Sequence, residues 1–299
     1  MTSLIYDPIY SQLNLPAGHR FPIEKYRKLY EKLLSEGVPA AGFLRPTALR
    51  PEQVQGPLSP AYVADFVAGG LDDKAVRKMG FPWSPILVAR TLTAVAGTIL
   101  AGMESLQQGS AINLSGGYHH AFYDHGSGFC IFNDLWLSAL NLIQQPTINR
   151  VLIFDCDVHQ GDGTASLAQG HEQIFTVSIH GEKNFPFVKQ RSDWDVSLDK
   201  GVGDDEYLTC VDSTLREAID RFRPDAVIYD AGADIFSGDE LGHFEVTLGG
   251  VLRRDQLVFE ACEQAGLPVS AVIGGGYQRD IDALVEVHLQ LFRAAGVVA

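Results

Sequence analysis

The sequence predicts an α/β protein: one three-layer domain over residues 1–299, with a mostly parallel central sheet and helices on both faces. Three observations carry this reading. Short apolar runs alternate with longer segments whose apolar residues recur at helical spacing. The apolar runs lack polar alternation, as in parallel strands covered on both sides. No internal repeat or low-complexity linker divides the chain.

The elements follow in order. "SPILVARTLTAVAGTILAGMESLQQG" (84–109) has helical periodicity, with Gly109 as its stop. "AINLS" (111–115) is a short strand, and "IFNDLWLSALNLIQQ" (131–145) is helical. "RVLIFD" (150–155) and "QIFTVSIH" (173–180) are strands rich in β-branched and bulky residues. "DDEYLTCVDSTLREAIDRFR" (204–223) is an amphipathic helix followed by Pro224. "DAVIYDAG" (225–232) is a strand, and "GGVLRRDQLVFEACEQAG" (249–266) a helix. "LPVSAVIGGGY" (267–277) is a strand ending in glycines, and "RDIDALVEVHLQLFRAA" (279–295) is the last helix. The Pro- and Gly-rich stretch 42–66 reads as a surface loop inside the domain.

Composition narrows the function classes. Hydrophobic residues make up 46% and charged residues 20%, which excludes a disordered chain. The net charge is −14, and no basic run or tail offers a nucleic-acid footprint. An acidic surface suits a cationic substrate or simply solubility. Cys130, Cys156, Cys210 and Cys262 are far apart with no CxxC pair, which leaves no zinc ribbon or redox motif. The start of the chain lacks a basic segment followed by an apolar run, and the longest apolar stretches are interrupted by Gly, Thr or Arg. A cytoplasmic protein that does not enter a membrane is expected.

The chemistry gathers where strands end. Five predicted strands lead into polar, glycine-rich loops: "GGYHHAFYDHGSGFC", "CDVHQGDGT", "GEKNFPF", "AGADIFSGD" and "GGGYQRD". In open parallel sheets, ligands bind outside the carboxyl ends of the strands. In extended chain, residues i and i+2 share a side, so Asp155, Asp157 and His159 face one way if the strand continues. Unpaired buried carboxylates cost several kcal/mol each. A divalent ion removes that cost. Asp157 and His159, with Asp234 from a second strand end, make three ligands and leave a position for water, the layout of a catalytic metal. Zinc is the first choice, with Fe(II) or Mn(II) as alternatives for an oxygen-rich shell. The competing reading is a set of turn residues capping helices.

His119 and His120 follow Gly116 and Gly117, whose freedom allows a loop bent enough for both rings to face one water. One would serve as general base, the other as acid or electrostatic partner. Asp155 and Asp162 would orient their far ring nitrogens. Tyr277 ends "GGGY", where glycines including Gly275 let the backbone pass close to a ligand, and its phenol would polarise a carbonyl. Gly128-Phe129 and Phe185-Pro186 place aromatic rings in two of the same loops, as walls of a slot or as core.

With these residues in view, the chain resembles the histone deacetylase family of the arginase/deacetylase fold. The matching segments are "GGYHHA", "GSGFC-IFND", "DCDVHQGDGT", "VSIH…NFPF", "DAGADIFSGDELG" and "GGGYQ", in order from about residue 113 to 278. Gln160, "DDEYL" and "GVLRRDQLVFE" look most like the class IV branch and its bacterial relatives. The resemblance implies a zinc hydrolase that removes an acyl group from the lysine side chain. Asp157, His159 and Asp234 would bind zinc. His120 would be the base and His119 its partner, with Asp162 and Asp155 behind them, and Tyr277 would polarise the amide. Gly128, Phe129, Phe185 and Gly275 would meet the acyl-lysine. A structural potassium ion would take the carbonyls of Asp155, Asp157, His159 and Ile179 and the Ser178 hydroxyl. Asp230 departs from the Asn often found in the family's "YNAG" and adds a carboxylate near the site. The denser "DxDxxDP" segment of arginase-like chains is absent, so one catalytic metal is expected. Acylated polyamines or other small acyl-amines are the alternative substrates to acyl-lysine in protein or peptide.

Overall fold

A computed structural model describes residues 2–299. Eight strands form one sheet, and every neighbouring pair in it is parallel. They are β1 (Ser3–Ile5), β2 (Phe43–Leu44), β3 (Ser110–Asn113), β4 (Val151–Asp155), β5 (Ile174–Gly181), β6 (Trp194–Leu198), β7 (Ala226–Asp230) and β8 (Val269–Val272). Their order across the sheet is β2-β1-β3-β8-β7-β4-β5-β6. β4 and β7 are buried along their whole length, which accounts for their unbroken apolar sequence.

The helices are α1 (Lys25–Ser35), α2 (Pro60–Ala68), α3 (Asp73–Met79), α4 (Pro85–Gln108), α5 (Asp134–Leu142), α6 (Asp162–Ala168), α7 (Asp204–Phe222), α8 (Leu248–Ala265) and α9 (Ile281–Ala294). α4 packs with α5 on one side of the sheet, while α7, α8, α9 and α1 pack in succession on the other. α4 corrects an expectation. It is long and apolar enough to cross a membrane, but 67% of its most apolar stretch is buried in the fold, so packing accounts for its composition. The stretch 42–66 is also no mere surface loop. It holds β2, buried Val54 and Leu58, and the start of α2, whose Ser59 hydroxyl accepts from the Tyr62 amide. Pro60 opens that helix, where its missing N–H costs nothing.

Two features of the topology position the site. β4 has β5 on one side and β7 on the other, so chain direction across the sheet switches there. The ends of β3, β8, β7 and β4 are also level. Asn113 pairs with Val272, Val272 with Asp230, Asp230 with Asp155, and Asp155 with Ser178. Four loops therefore leave the sheet from one row, and β5 passes the same row at Ser178 and runs on to Gly181 before the fifth.

Candidate active site

Just past β4 the chain curls over its own carboxylates. The Asp157 amide donates to Asp155 Oδ1 (3.0 Å), and the His159 amide donates to Asp157 Oδ1 (2.8 Å). This curl overturns the expectation that Asp155, Asp157 and His159 share one side: they divide between two clusters. Asp157 and His159 turn to Asp234, which sits in the short helical turn Ala233–Ile235 after β7. His159 Nδ1 lies 2.9 Å from Asp157 Oδ1 and 3.1 Å from Asp234 Oδ2. The second Asp234 oxygen accepts the Val158 amide (3.0 Å) and so is fixed.

These three buried side chains fit a divalent ion. One ligand atom from each lies within 4.8 Å of the others. Tetrahedral zinc with bonds near 2.0–2.1 Å holds neighbouring ligand atoms about 3.3 Å apart. The cluster also demands positive charge. Burial opposes protonation of His159, yet its hydrogen bonds to Asp157 and Asp234 push its pKa up to about 10. Burial and the adjacent Asp157 raise the Asp234 carboxyl.

The histidine pair stands beside this cluster. Gly116 and Gly117 adopt φ of 106° and 75° and bend the loop after β3. A Cβ at Gly117 would lie 2.8 Å from the Gly274 Cα and 2.9 Å from the Asp230 carboxylate. Asn133 and Asp134, at the start of α5, clamp the loop. Asp134 accepts from the Tyr118 amide (2.7 Å), the Gly117 amide (3.2 Å) and the Thr98 hydroxyl (2.6 Å). Asn133 Nδ2 donates to the Ala121 carbonyl (3.2 Å) and Thr164 Oγ1 (2.9 Å). His119 Nδ1 meets Asp155 Oδ2 at 2.8 Å, and His120 Nδ1 meets Asp162 Oδ1 at 2.6 Å.

The two imidazoles are driven apart electrostatically. Burial opposes charge on His119, but the carboxylates of Asp155 and Asp157 outweigh it and raise its pKa well above the usual value. Burial, then the neighbouring His119, lowers His120 well below it. Burial pushes the Asp162 carboxyl up to about 6, so at neutral pH it is still mostly an acceptor for His120 Nδ1–H. These opposite shifts favour the neutral ring at His120 and the charged ring at His119. Adjacent groups with separated pKa values are suited to distinct proton-transfer roles.

Above the clusters opens a cleft of about 880 Å³ lined by His120, His159, Asp162, Gly128, Phe129, Phe185, Pro186, Leu241 and Tyr277 among others. The Phe185 ring meets His120 edge-on at 4.8 Å. A Cβ at Gly128 would lie 2.7 Å from the His120 ring and 3.2 Å from Phe185, so glycine keeps the slot open. Phe129 holds φ of 66°, unusual for a bulky residue, and its amide is anchored on the Met79 carbonyl (3.0 Å) at the end of α3. Tyr277 stands 6.0 Å from His159, ring centre to ring centre, and its amide donates to Asp239 Oδ2 (2.6 Å). Gly275, expected on the substrate side, is not among the lining residues. It packs against the Asp157 and Asp234 carboxylates instead. Ser178 is level with Asp155 on the neighbouring strand, its hydroxyl 3.0 Å from His180 Nδ1, and Ile179 is buried next to it.

Several supports had no local sequence signal. Buried Lys25 on α1 donates from Nζ to the Gly275 carbonyl. Buried Arg254 on α8 donates to the Gly232 carbonyl (2.5 Å) and pairs with Asp255 (2.9 Å). The two accepting carbonyls, Gly275 and Gly232, lie in strand-end loops 250 and 22 residues away from these cations, and the assembled fold brings them together. Asp239 accepts from the Leu241 and Gly242 amides as a turn residue does, and its grip on the Tyr277 amide leaves no mark in the sequence. Asp230 forms a second buried group with His119 and Asp155, and neither of its carboxylate oxygens has a hydrogen-bond partner among the described residues.

Comparison with known proteins bears on this arrangement. The histone deacetylase domain model matches residues 19–292. An uncharacterized protein of Picosynechococcus sp. is 45% identical over 303 residues, covering 98% of this chain and 97% of its own. Histone deacetylase 2 of Arabidopsis thaliana is 32% identical over 207 residues, covering 68% of this chain and 54% of its own. Histone deacetylase 8 of Xenopus laevis is 35% identical over 199 residues, covering 62% and 59%. The matches thus span little more than half the length of these two named deacetylases. The crystal structure of the HDA15 HD domain superimposes with a TM-score of 0.80 over 99% of this chain and 91% of its own, at 22% identity, which speaks to the fold. With the domain match running through nearly the whole sheet and all five strand-end loops, the chain belongs to the histone deacetylase family, a family of amide hydrolases.

Proposed function

We propose that this protein is a zinc-dependent lysine deacylase. The observation that carries the reading is the convergence of Asp157, His159 and Asp234 beneath a cleft that also holds His120 and Tyr277. A bound divalent ion would polarise the scissile carbonyl and lower the pKa of the attacking water. The protein's own groups account for the rest. Phe129, Gly128 and Phe185 would hold the uncharged acyl-lysine stem in an apolar slot. His120 Nε2 would accept the proton of the attacking water, its orientation fixed by Asp162. The Tyr277 hydroxyl would donate to the oxygen that gains charge, a contribution of roughly 3 kcal/mol for one well-placed donor. His119, held cationic by Asp155, would stabilise that charge, and a protonated histidine would return a proton to the leaving amine.

A potassium ion at the carbonyls of Asp155, Asp157, His159 and Ile179 with the Ser178 hydroxyl would stiffen the same row, and Gln160 supports placement near class IV. The test is a panel of acyl-lysine peptides, acetyl through long-chain, run beside acetylated polyamines on metal-analysed protein with and without a chelator. Chelator-sensitive release of acid from a peptide supports the reading. Release from polyamines alone assigns the site to small acyl-amines, and no release from either removes the hydrolase.

A further inference from the structure

The cleft's lining carries charge opposite in sign to the chain as a whole. The net charge is −14. Yet Arg77, Lys78 and Lys183 all line the cleft, and the one carboxylate among its lining residues is Asp162, which is paired with His120. The three cations are exposed. None makes an ion pair among the described residues. The acidic neighbours in the same loops, Asp124 and Glu182, do not line the cleft. The cations also flank both walls. The Lys78 carbonyl accepts the Gly128 amide (3.2 Å), which ties the end of α3 to the Gly128–Phe129 wall. Lys183 stands two residues before Phe185 on the facing wall.

We propose that the preferred substrate is an acyl-lysine flanked by acidic residues in an extended peptide. This rests on the deacylase reading and deepens it. The acylated side chain is neutral, so the slot recognises it without charge. Its neighbours in the peptide, about 3.3 Å apart per residue along an extended strand, cross the exposed rim where the three cations stand. Glutamate or aspartate there meets a field of favourable sign, and lysine or arginine an unfavourable one. A free polyamine would bring further cations to this rim and is disfavoured. A carboxylate on the acyl group itself would be carried toward Asp157 and Asp234 at the floor and is disfavoured for the opposite reason.

The test compares kcat/KM for three acetyl-lysine peptides that differ only in the flanking residues, Glu, Ala or Lys, using the metal-loaded protein at low salt. The order Glu above Ala above Lys is expected, with a total spread of about tenfold or more that shrinks below about twofold near 0.5 M salt. The protein carrying Arg77→Glu, Lys78→Glu and Lys183→Glu should invert the order. Because the ratio is read within one protein preparation, partial loss of folded protein does not mimic inversion. Equal turnover of all three peptides, or an order that survives the charge reversal, overturns this inference and leaves the deacylase reading standing. Absence of turnover with every acylated peptide overturns both.

Discussion

Replacing Gly275 by alanine adds one methyl group under the proposed metal ligands. The new Cβ would lie 2.7 Å from Asp157 Oδ2 and closer still to the Asp234 carboxylate. A carbon–oxygen contact settles near 3.3 Å or more, so each carboxylate must retreat by at least about half an ångström. Metal–ligand distances tolerate only about 0.2 Å. The backbone adds a smaller cost, since φ is 52° and a side chain there is disfavoured by about 1–2 kcal/mol. Gly275→Ala should therefore lower zinc affinity by at least about 100-fold, or about 2.8 kcal/mol, while melting falls by only a few degrees. Gly266→Ala separates the two effects. Its φ is 65°, and nothing lies within 4 Å of the added carbon. It should lose the backbone increment and keep the metal. Zinc titration in metal-buffered solution, read beside thermal melts, checks both. Wild-type zinc affinity in Gly275→Ala, or an equal loss in Gly266→Ala, would refute the reasoning.

Tyr277→Phe should cut kcat by about 100- to 1000-fold with metal content unchanged, and a rate near that of the wild type would remove the phenol from the mechanism. Arg254→Met leaves buried Asp255 and the Gly232 carbonyl without their cation. It should cost about 3–5 kcal/mol in denaturant unfolding, and a loss below about 1 kcal/mol would make the pair incidental. Lys25 gives a pH test. Burial lowers its pKa from 10.5 to about 8 against the opposing pull of Asp234 and Asp157. Between those values the unfolded chain holds a proton that the folded chain has released, so this side chain makes stability rise with pH across that window. The melting temperature of the wild type relative to Lys25→Met, followed from pH 7.5 upward, should climb; a flat or falling difference counts against the buried amine.

The central strands and the proposed ligands were legible because each signal is local. A parallel strand covered on both faces must be apolar throughout, and β4 and β7 are. Asp157 and His159 lie two residues apart, and Asp234 stands four residues beyond the end of its own strand. What escaped was short or distant. β1 and β2 have three and two residues, too few for a period to show. β6 is a partly exposed edge strand without an apolar run. In the stretch 42–66, prolines read as breakers stand at helix starts, a distinction that requires knowing where the helix begins. Lys25 and Arg254 carry no sequence signal of burial, yet each is buried against a backbone carbonyl of a strand-end loop.

The level row of strand ends has a consequence for how this protein comes into being and how it can change. Asn113, Val272, Asp230, Asp155 and Ser178 are supplied by segments spread from residue 110 to residue 272. A chain that ends before β8 lacks the glycines at 274–276 and the Tyr277 ring that lines the cleft. Each loop tip, by contrast, can lengthen or mutate without shifting the shelf from which it springs.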